Sequence, residues 1–169
     1  MIIASAPGEG IAHWDAGSEF YNEVEAKVLD ALNAQGVKPQ VDAILWHQGE
    51  TDWQFYGTSD PDASDSERAY AEYYPEKLTD LIARFRSSGW FDVNGEFICG
   101  ETRQAPVNNR LMALNSDGDA TTACVEGSDL TTREMDLLAS PPRLGTHFDA
   151  EGLRTLGERY GLQYLQMTQ

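Results

Sequence analysis

The densest group of polar side chains in the sequence lies at residues 46–52, where the amide of Gln48 and the carboxylates of Glu50 and Asp52 follow an apolar run. Two further polar groups lie at residues 7–10 and 145–149. Ligands of parallel α/β sheets bind outside the carboxyl ends of the strands, so the three groups are predicted to meet at one sheet edge. Carboxylates beside an amide can serve acid–base chemistry, but such residues are also common in solvated turns. Composition alone leaves these two interpretations about even.

The neighbouring residues predict different roles for the three histidines. His147 follows Gly and Thr beside a predicted helix start, where a partly exposed imidazole can reach both solvent and substrate. His47 adjoins an apolar strand, which indicates a structural role. His13 either lines a cleft or simply flanks Trp14. His147 is therefore the best candidate for a general base, although a lone histidine is more often a packed or surface residue.

The hydrophobic pattern predicts the elements that position these groups. Apolar runs too short for core helices predict strands at Ile2–Ala4, Val41–Trp46, Phe97–Cys99 and Thr121–Val125. Amphipathic spacing predicts helices from Ser18 to Gly36, from Ser66 to Phe85 with a kink or two abutting helices at Pro75, from Val107 to Leu114, and from Ala150 to Tyr164. Strands that alternate with helices predict a three-layer α/β sandwich around a short parallel sheet, with Val41–Trp46 as a central strand.

Length, composition and net charge exclude several classes of binding partner. The 169 residues suit one domain, and no apolar run approaches the roughly 20 residues of a membrane span. Twelve Lys and Arg against 28 Asp and Glu give a net charge of −16, which repels nucleic acid and anionic lipid surfaces. The acidic loop at residues 60–65 lacks EF-hand spacing, because Asp65 and Ala71 stand where that loop has glycine and glutamate. We expect no metal and no cofactor.

Cys99 and Cys124 both lie in apolar, strand-like stretches. An unpaired cysteine in such a stretch usually behaves as a small buried hydrophobe, and we favour two free buried thiols. A disulfide is possible if the two strands are neighbours, and it would favour an oxidising compartment.

Three stretches resemble one known family. Trp46-His47-Gln48-Gly49-Glu50-Thr51-Asp52 is similar to the Trp-x-Gln-Gly-Glu-Ser/Thr-Asp signature of the SGNH hydrolases, in the sialate O-acetylesterase and acetylxylan esterase (carbohydrate esterase family 6-like) branch. Residues 147–160 resemble that family's C-terminal block, in which the catalytic histidine precedes a helix containing Leu-Gly-x-Arg. Residues 6–14 resemble its glycine loop followed by tryptophan. The order along the chain is also that of the family.

The resemblance implies a serine esterase that removes acetyl groups from sugar hydroxyls, with an acetylated carbohydrate as its substrate and His147 as its general base. Oxyanion donors would be Gln48 and the backbone N–H of Gly8 or Gly10. Glu50 and Asp52, which follow the flexible Gly49, would hold the loop and His147. The family also favours a secreted or periplasmic protein.

The chain departs from the family pattern at two places. The Gly-x-Ser block that carries the family's nucleophile precedes the glycine loop, and here only residues 1–6 precede it, so we expect an incomplete N-terminus that lacks the first strand. Ser5 carries the only hydroxyl near the expected position of the nucleophile. Leu144 stands where the family's triad acid usually lies, three residues before the histidine. Either Asp136, Asp129 or Glu50 orients the imidazole, or serine and histidine work as a dyad in which a backbone carbonyl orients it.

These departures keep two classes of function open. One is the esterase; the other is a catalytically inactive carbohydrate-binding or scaffolding module of the same fold. A missing first strand would also leave a sheet edge unpaired, which predicts self-association.

Overall fold

A computed structural model describes residues 1–5, 8–35, 40–55, 72–103, 105–116, 118–132 and 147–169. It has an α/β fold with a short, open, parallel sheet of three strands in the order β1-β2-β3, flanked by helices, which confirms the predicted fold class. The strands are β1 (Val41–Trp46), β2 (Phe91–Gly100) and β3 (Thr122–Val125), and the helices are α1 (Glu19–Asn33), α2 (Glu50–Phe55), α3 (Tyr74–Ser87), α4 (Ala105–Ala113) and α5 (Ala150–Met167). Within the described ranges, no helix is both long and apolar enough to cross a bilayer.

Contacts divide the chain into two compact units, and the first comprises residues 1–44 and 51–95. Its helix α1 begins as predicted at Ser18, whose hydroxyl oxygen accepts a hydrogen bond from the backbone N–H of Tyr21 at 3.1 Å. Helix α3 carries Pro75 in its first turn, where the missing N–H costs no helical hydrogen bond. Glu72 is also helical and Tyr73 is a turn, which agrees with the second predicted arrangement at Pro75, two abutting helices. The buried faces of the two helices form the core of this unit: Tyr21, Val24, Val28 and Leu32 from α1, and Tyr74, Leu78, Leu81, Ile82 and Phe85 from α3.

The second unit comprises residues 45–50 and 96–169. Its parallel strands pair Phe97 with Thr122 and, in the same register, Gly100 with Val125. Helix α5 packs on them through a buried cluster: Ile98, Val125, Phe148, Leu156 and Tyr160. The hydroxyl of Tyr160 donates to the carbonyl oxygen of Trp46 at 2.6 Å, and burial raises the pKa of Tyr160 far above its ordinary value. This hydrogen bond fixes the last residue of β1, where the polar loop of the sequence motif begins.

Two predictions about strands are wrong. Ile2–Ala4 is not a strand, and Ile3 is 76% exposed. A run of three apolar residues forms a strand only where its backbone pairs with a neighbouring strand and its side chains are buried. The side chain of Ile3 is not buried. β1 has the predicted bounds, but it lies at the edge of the described sheet and not at its centre, with Leu45 55% exposed.

The preference for free thiols is also wrong. Cys99 and Cys124 form a disulfide, with their Cα atoms 4.5 Å apart. The two residues are register partners on the neighbouring parallel strands β2 and β3, and this pairing brings their side chains together. A pattern of apolar runs does not specify strand order or register, so the sequence left the pairing open.

The remaining elements agree with the sequence pattern in type and differ at their ends. Helix α5 begins at Ala150 as predicted and continues to Met167, and β2 is longer than predicted, because it starts at Phe91. The predicted loop at residues 58–67, the helix start at Ser66 and the helix stop at Gly36 lie outside the described residues.

Candidate active site

The loop that follows β1 carries the first group of candidate side chains. Gly49 has a φ of 137°, a conformation that residues with a side chain rarely adopt, and it turns the chain from the strand into α2. The turn places Glu50 at the first position of α2, where only 15% of its side chain is exposed. A buried carboxylate requires charged or hydrogen-bonding neighbours, and two histidines supply them.

Glu50 lies between two imidazoles. Its Oε1 atom is 3.3 Å from Nε2 of His47 and 3.9 Å from Nδ1 of His147. The ring of His47 also lies against the ring of Phe148, with their centroids 5.6 Å apart. One carboxylate thus joins the loop after β1 to the segment that precedes α5.

The pKa of Glu50 lies below its ordinary value. Burial raises this pKa, but the hydrogen bond and the positive charge of His47, a hydrogen bond from the backbone of Glu50 itself and the charge of His147 together outweigh that effect. Glu50 is therefore ionised at neutral pH, and its carboxylate can accept a hydrogen bond from the N–H of a neighbouring imidazole.

His147 has an exposed side chain at the start of the C-terminal helix. Its side chain is 72% exposed, so most of the ring is open to solvent. Two residues later, Asp149 caps α5 by accepting the backbone N–H groups of Glu151 and Gly152 at 2.9 and 2.8 Å. This cap anchors the backbone next to His147.

The glycine loop belongs to the first unit. Gly8 and Gly10 precede a short 3-10 turn at Ile11–Trp14. Both carboxylate oxygens of Asp52 accept the backbone N–H of Ile11, at 3.0 and 3.1 Å, and Asp52 is 3% exposed. Asp52 therefore binds the backbone that directly follows the glycine loop.

The other predicted residues are placed as follows. Gln48 is half-buried in the loop after β1, and Ser5 lies in the exposed N-terminal segment. Asp129 binds Arg159 through both oxygens, at 2.6 and 2.8 Å, so its carboxylate already has a partner on α5. His13 pairs with Glu9 at 2.9 Å. Asp136, the third candidate for the acid, lies outside the described residues, as does the acidic loop at residues 60–65.

The described residues include no group of three or more His, Cys, Asp or Glu side chains arranged to hold a metal ion.

Comparison with protein families identifies the chain. A family model described as carbohydrate esterase, sialic acid-specific acetylesterase matches residues 1–166. The chain belongs to this family. The motif at residues 46–52 and the block at residues 147–160 both lie in the matched region, so the resemblance stated from these motifs is confirmed.

A solved structure shares the fold of this acetylesterase-family chain. The X-ray structure of a protein from Arabidopsis thaliana superimposes with a TM-score of 0.67 at 19% identity, covering 94% of this chain and 57% of that protein. The chain thus spans little more than half the length of that protein. No curated protein matches the chain.

The structure adds a functional candidate that sequence reasoning missed. Glu101 follows β2 directly and is 7% exposed, and its carboxylate accepts backbone N–H groups from the loop after β3. The rule that found the other clusters, polar residues just after an apolar strand, would also have selected Glu101. Sequence reasoning passed over it because Glu101 is a single carboxylate, whereas residues 46–52 form a dense cluster.

Proposed function

We propose that this chain is a carbohydrate O-acetylesterase that hydrolyses acetyl esters on sugar hydroxyls, of the sialate or xylan type, by a Ser-His mechanism with His147 as its general base. Membership of the carbohydrate esterase family supports the class of reaction. The observation that carries the assignment of residues is the approach of Glu50 to Nδ1 of His147, 3.9 Å away.

This geometry suits a general base. A carboxylate that faces Nδ1 holds the proton on that nitrogen and stabilises the imidazolium that forms when Nε2 takes a second proton. The depressed pKa of Glu50 keeps the carboxylate charged while His147 changes protonation state. Glu50 replaces the aspartate that the family usually places three residues before the histidine, where this chain has Leu144.

The proposed reaction follows the serine esterase sequence. Nε2 of His147 takes the hydroxyl proton of a serine as the serine oxygen bonds to the acetyl carbon, and the same proton then passes to the departing sugar oxygen. Water, deprotonated by His147, next attacks the acetyl-serine, and the proton passes from His147 to the serine oxygen as the acyl–serine bond breaks and acetic acid is released. Oxyanion donors, assigned from the resemblance alone, are the Gln48 amide and the backbone N–H of Gly8 or Gly10, each worth about 3 kcal/mol.

Acetate release from acetylated sugars tests this function. The chain is compared with a form that carries the family's Gly-x-Ser block at its N-terminus, using acetylated sialic acid and acetylated xylan as substrates. We expect hydrolysis in the form with the block, and loss of it when the serine of the block is replaced by alanine. In the unextended chain, Ser5→Ala tests whether that hydroxyl contributes.

The rival function has a separate readout. If neither form releases acetate but both bind the acetylated sugar in calorimetry, the chain is a binding module and the esterase proposal is wrong.

A further inference from the structure

The contacts of the His147 side chain do little to fix the position of its ring. The ring is 72% exposed, and its nearest charged partner is 3.9 Å away. An exposed ring can change rotamer freely, so its position depends on how firmly the backbone beside it is held. The structure shows that support at Phe148 and Asp149.

Residues 126–132, the segment that follows β3, bind that backbone. The hydroxyl of Thr131 donates to the Asp149 carboxylate at 2.8 Å, and the backbone N–H of Asp149 donates to the carbonyl oxygen of Thr131 at 3.2 Å. Thr132 forms an antiparallel bridge with Phe148. The two residues that follow His147 are therefore both paired with this segment.

Glu101 anchors the start of the segment. One oxygen of its buried carboxylate accepts the backbone N–H groups of Gly127 and Ser128, at 2.9 and 3.0 Å. A Cβ at position 127 would collide with the carbonyl oxygen of Glu101, so the close approach requires glycine there. Charge-assisted hydrogen bonds of this kind are stronger than neutral ones, and here they also satisfy a buried carboxylate.

Arg159 anchors the middle of the segment to α5. Its guanidinium donates to the carbonyl oxygen of Glu126 at 2.8 Å and to both carboxylate oxygens of Asp129 at 2.6 and 2.8 Å. Asp129 is 61% exposed, and a surface ion pair contributes little to global stability. Its two-pronged geometry instead fixes the orientation of the loop relative to the helix that follows His147.

We propose that residues 126–132, held by Glu101 and Arg159, form a brace that fixes the imidazole of His147, and that Thr131 is a positioning residue for the proposed esterase reaction. The inference rests on the proposed function for its catalytic consequence. Its structural consequence, that the His147 ring is held in one position, can be measured without enzymatic turnover.

The test replaces Thr131 by valine, which keeps the shape of the side chain and removes the hydroxyl that binds Asp149. Nuclear magnetic resonance of the full chain at constant pH reports the carbon-bound ring protons of each histidine. We expect the His147 signals to shift and broaden, while those of His13, in the other unit, stay unchanged. Thr131→Ser retains the hydroxyl and should restore the signals.

The matched control is Thr168→Val. It removes a threonine hydroxyl that donates to a backbone carbonyl, that of Tyr164, at the far end of α5. We expect unchanged His147 signals in this variant. Unchanged His147 signals in Thr131→Val, or equal changes in both valine variants, would overturn the brace.

Kinetics test the catalytic consequence separately. In a form that hydrolyses acetyl esters, Thr131→Val should lower kcat about tenfold and leave KM nearly unchanged, because a displaced base slows proton transfer without weakening substrate binding. A displaced ring with unaltered kcat would overturn the positioning role. Absence of hydrolysis in the unsubstituted protein would count against the proposed function, and the ring signals would still decide whether the brace exists.

Discussion

Glu50 is the residue that links the two histidines of the second unit. Because its carboxylate is mostly buried and faces Nδ1 of His147, replacing it by glutamine should remove the charge that stabilises the imidazolium while keeping the side chain's shape. We expect kcat of Glu50→Gln to fall by up to about 10⁴-fold, the effect of the same acid-to-amide change in a serine-hydrolase triad. Initial rates of acetyl ester hydrolysis measure this. Glu158→Gln, the same change at an exposed position of α5, should leave kcat unaltered, and equal losses in both variants would contradict the role of Glu50.

The stability of the fold should also depend on Glu50 in a defined pH range. The pKa of Glu50 in the folded chain lies below the ordinary value of 4.5, so its ionised form stabilises the fold. This contribution is present above the unfolded-state pKa and is lost as the pH falls through the lower folded-state pKa. We expect the difference in unfolding free energy between the wild type and Glu50→Gln to be largest above about pH 5 and to shrink in more acidic urea titrations. A difference that grows on acidification would contradict it.

At the scale of elements, the disulfide between β2 and β3 is a testable link. It closes a loop with a sequence separation of 25 residues, for which the chain-entropy relation gives about 3.5 kcal/mol of stabilisation. We expect the double variant Cys99→Ala, Cys124→Ala to lose about that amount in denaturant unfolding. Adding a reductant should lower the stability of the wild type and leave the double variant unchanged. Equal stability of the two proteins without reductant would contradict the pairing.

The sequence predicted those elements whose signals are local. β1 and the start of α5 were predicted at their observed residues, because an apolar run bounded by polar residues and an aspartate cap are local features. The N-terminal strand, the edge position of β1 and the disulfide depend on which strands become neighbours, which no local pattern specifies. The site shows the same division: His147 and Glu50 were found in motifs, whereas the contacts of Glu101 and Thr131 join segments far apart in the chain.

At the scale of the whole molecule, charge and the exposed face of β1 act in opposite directions on self-association. Leu45 is 55% exposed on a strand at the edge of the described sheet, and such edges recruit other strands. The net charge of −16 repels a second copy, and salt screens that repulsion. We expect the mass measured by light scattering to increase with concentration, and more steeply at about 0.5 M than at about 0.02 M NaCl.

Substitution locates the association surface. Leu45→Lys should reduce association at high salt, whereas Leu162→Lys, at an equally exposed leucine on α5, should not. A monomer at every concentration and salt would contradict the prediction.

The central claim, that His147 is the general base, is tested most directly by comparing two histidine variants in a form that carries the serine block. We expect His147→Ala to abolish acetate release with little change in melting temperature, because the ring is exposed. His47→Ala should reduce stability more than rate, because this ring contacts both Glu50 and Phe148. A fully active His147→Ala protein, or a folded His47→Ala protein that has lost its activity, would contradict the assignment.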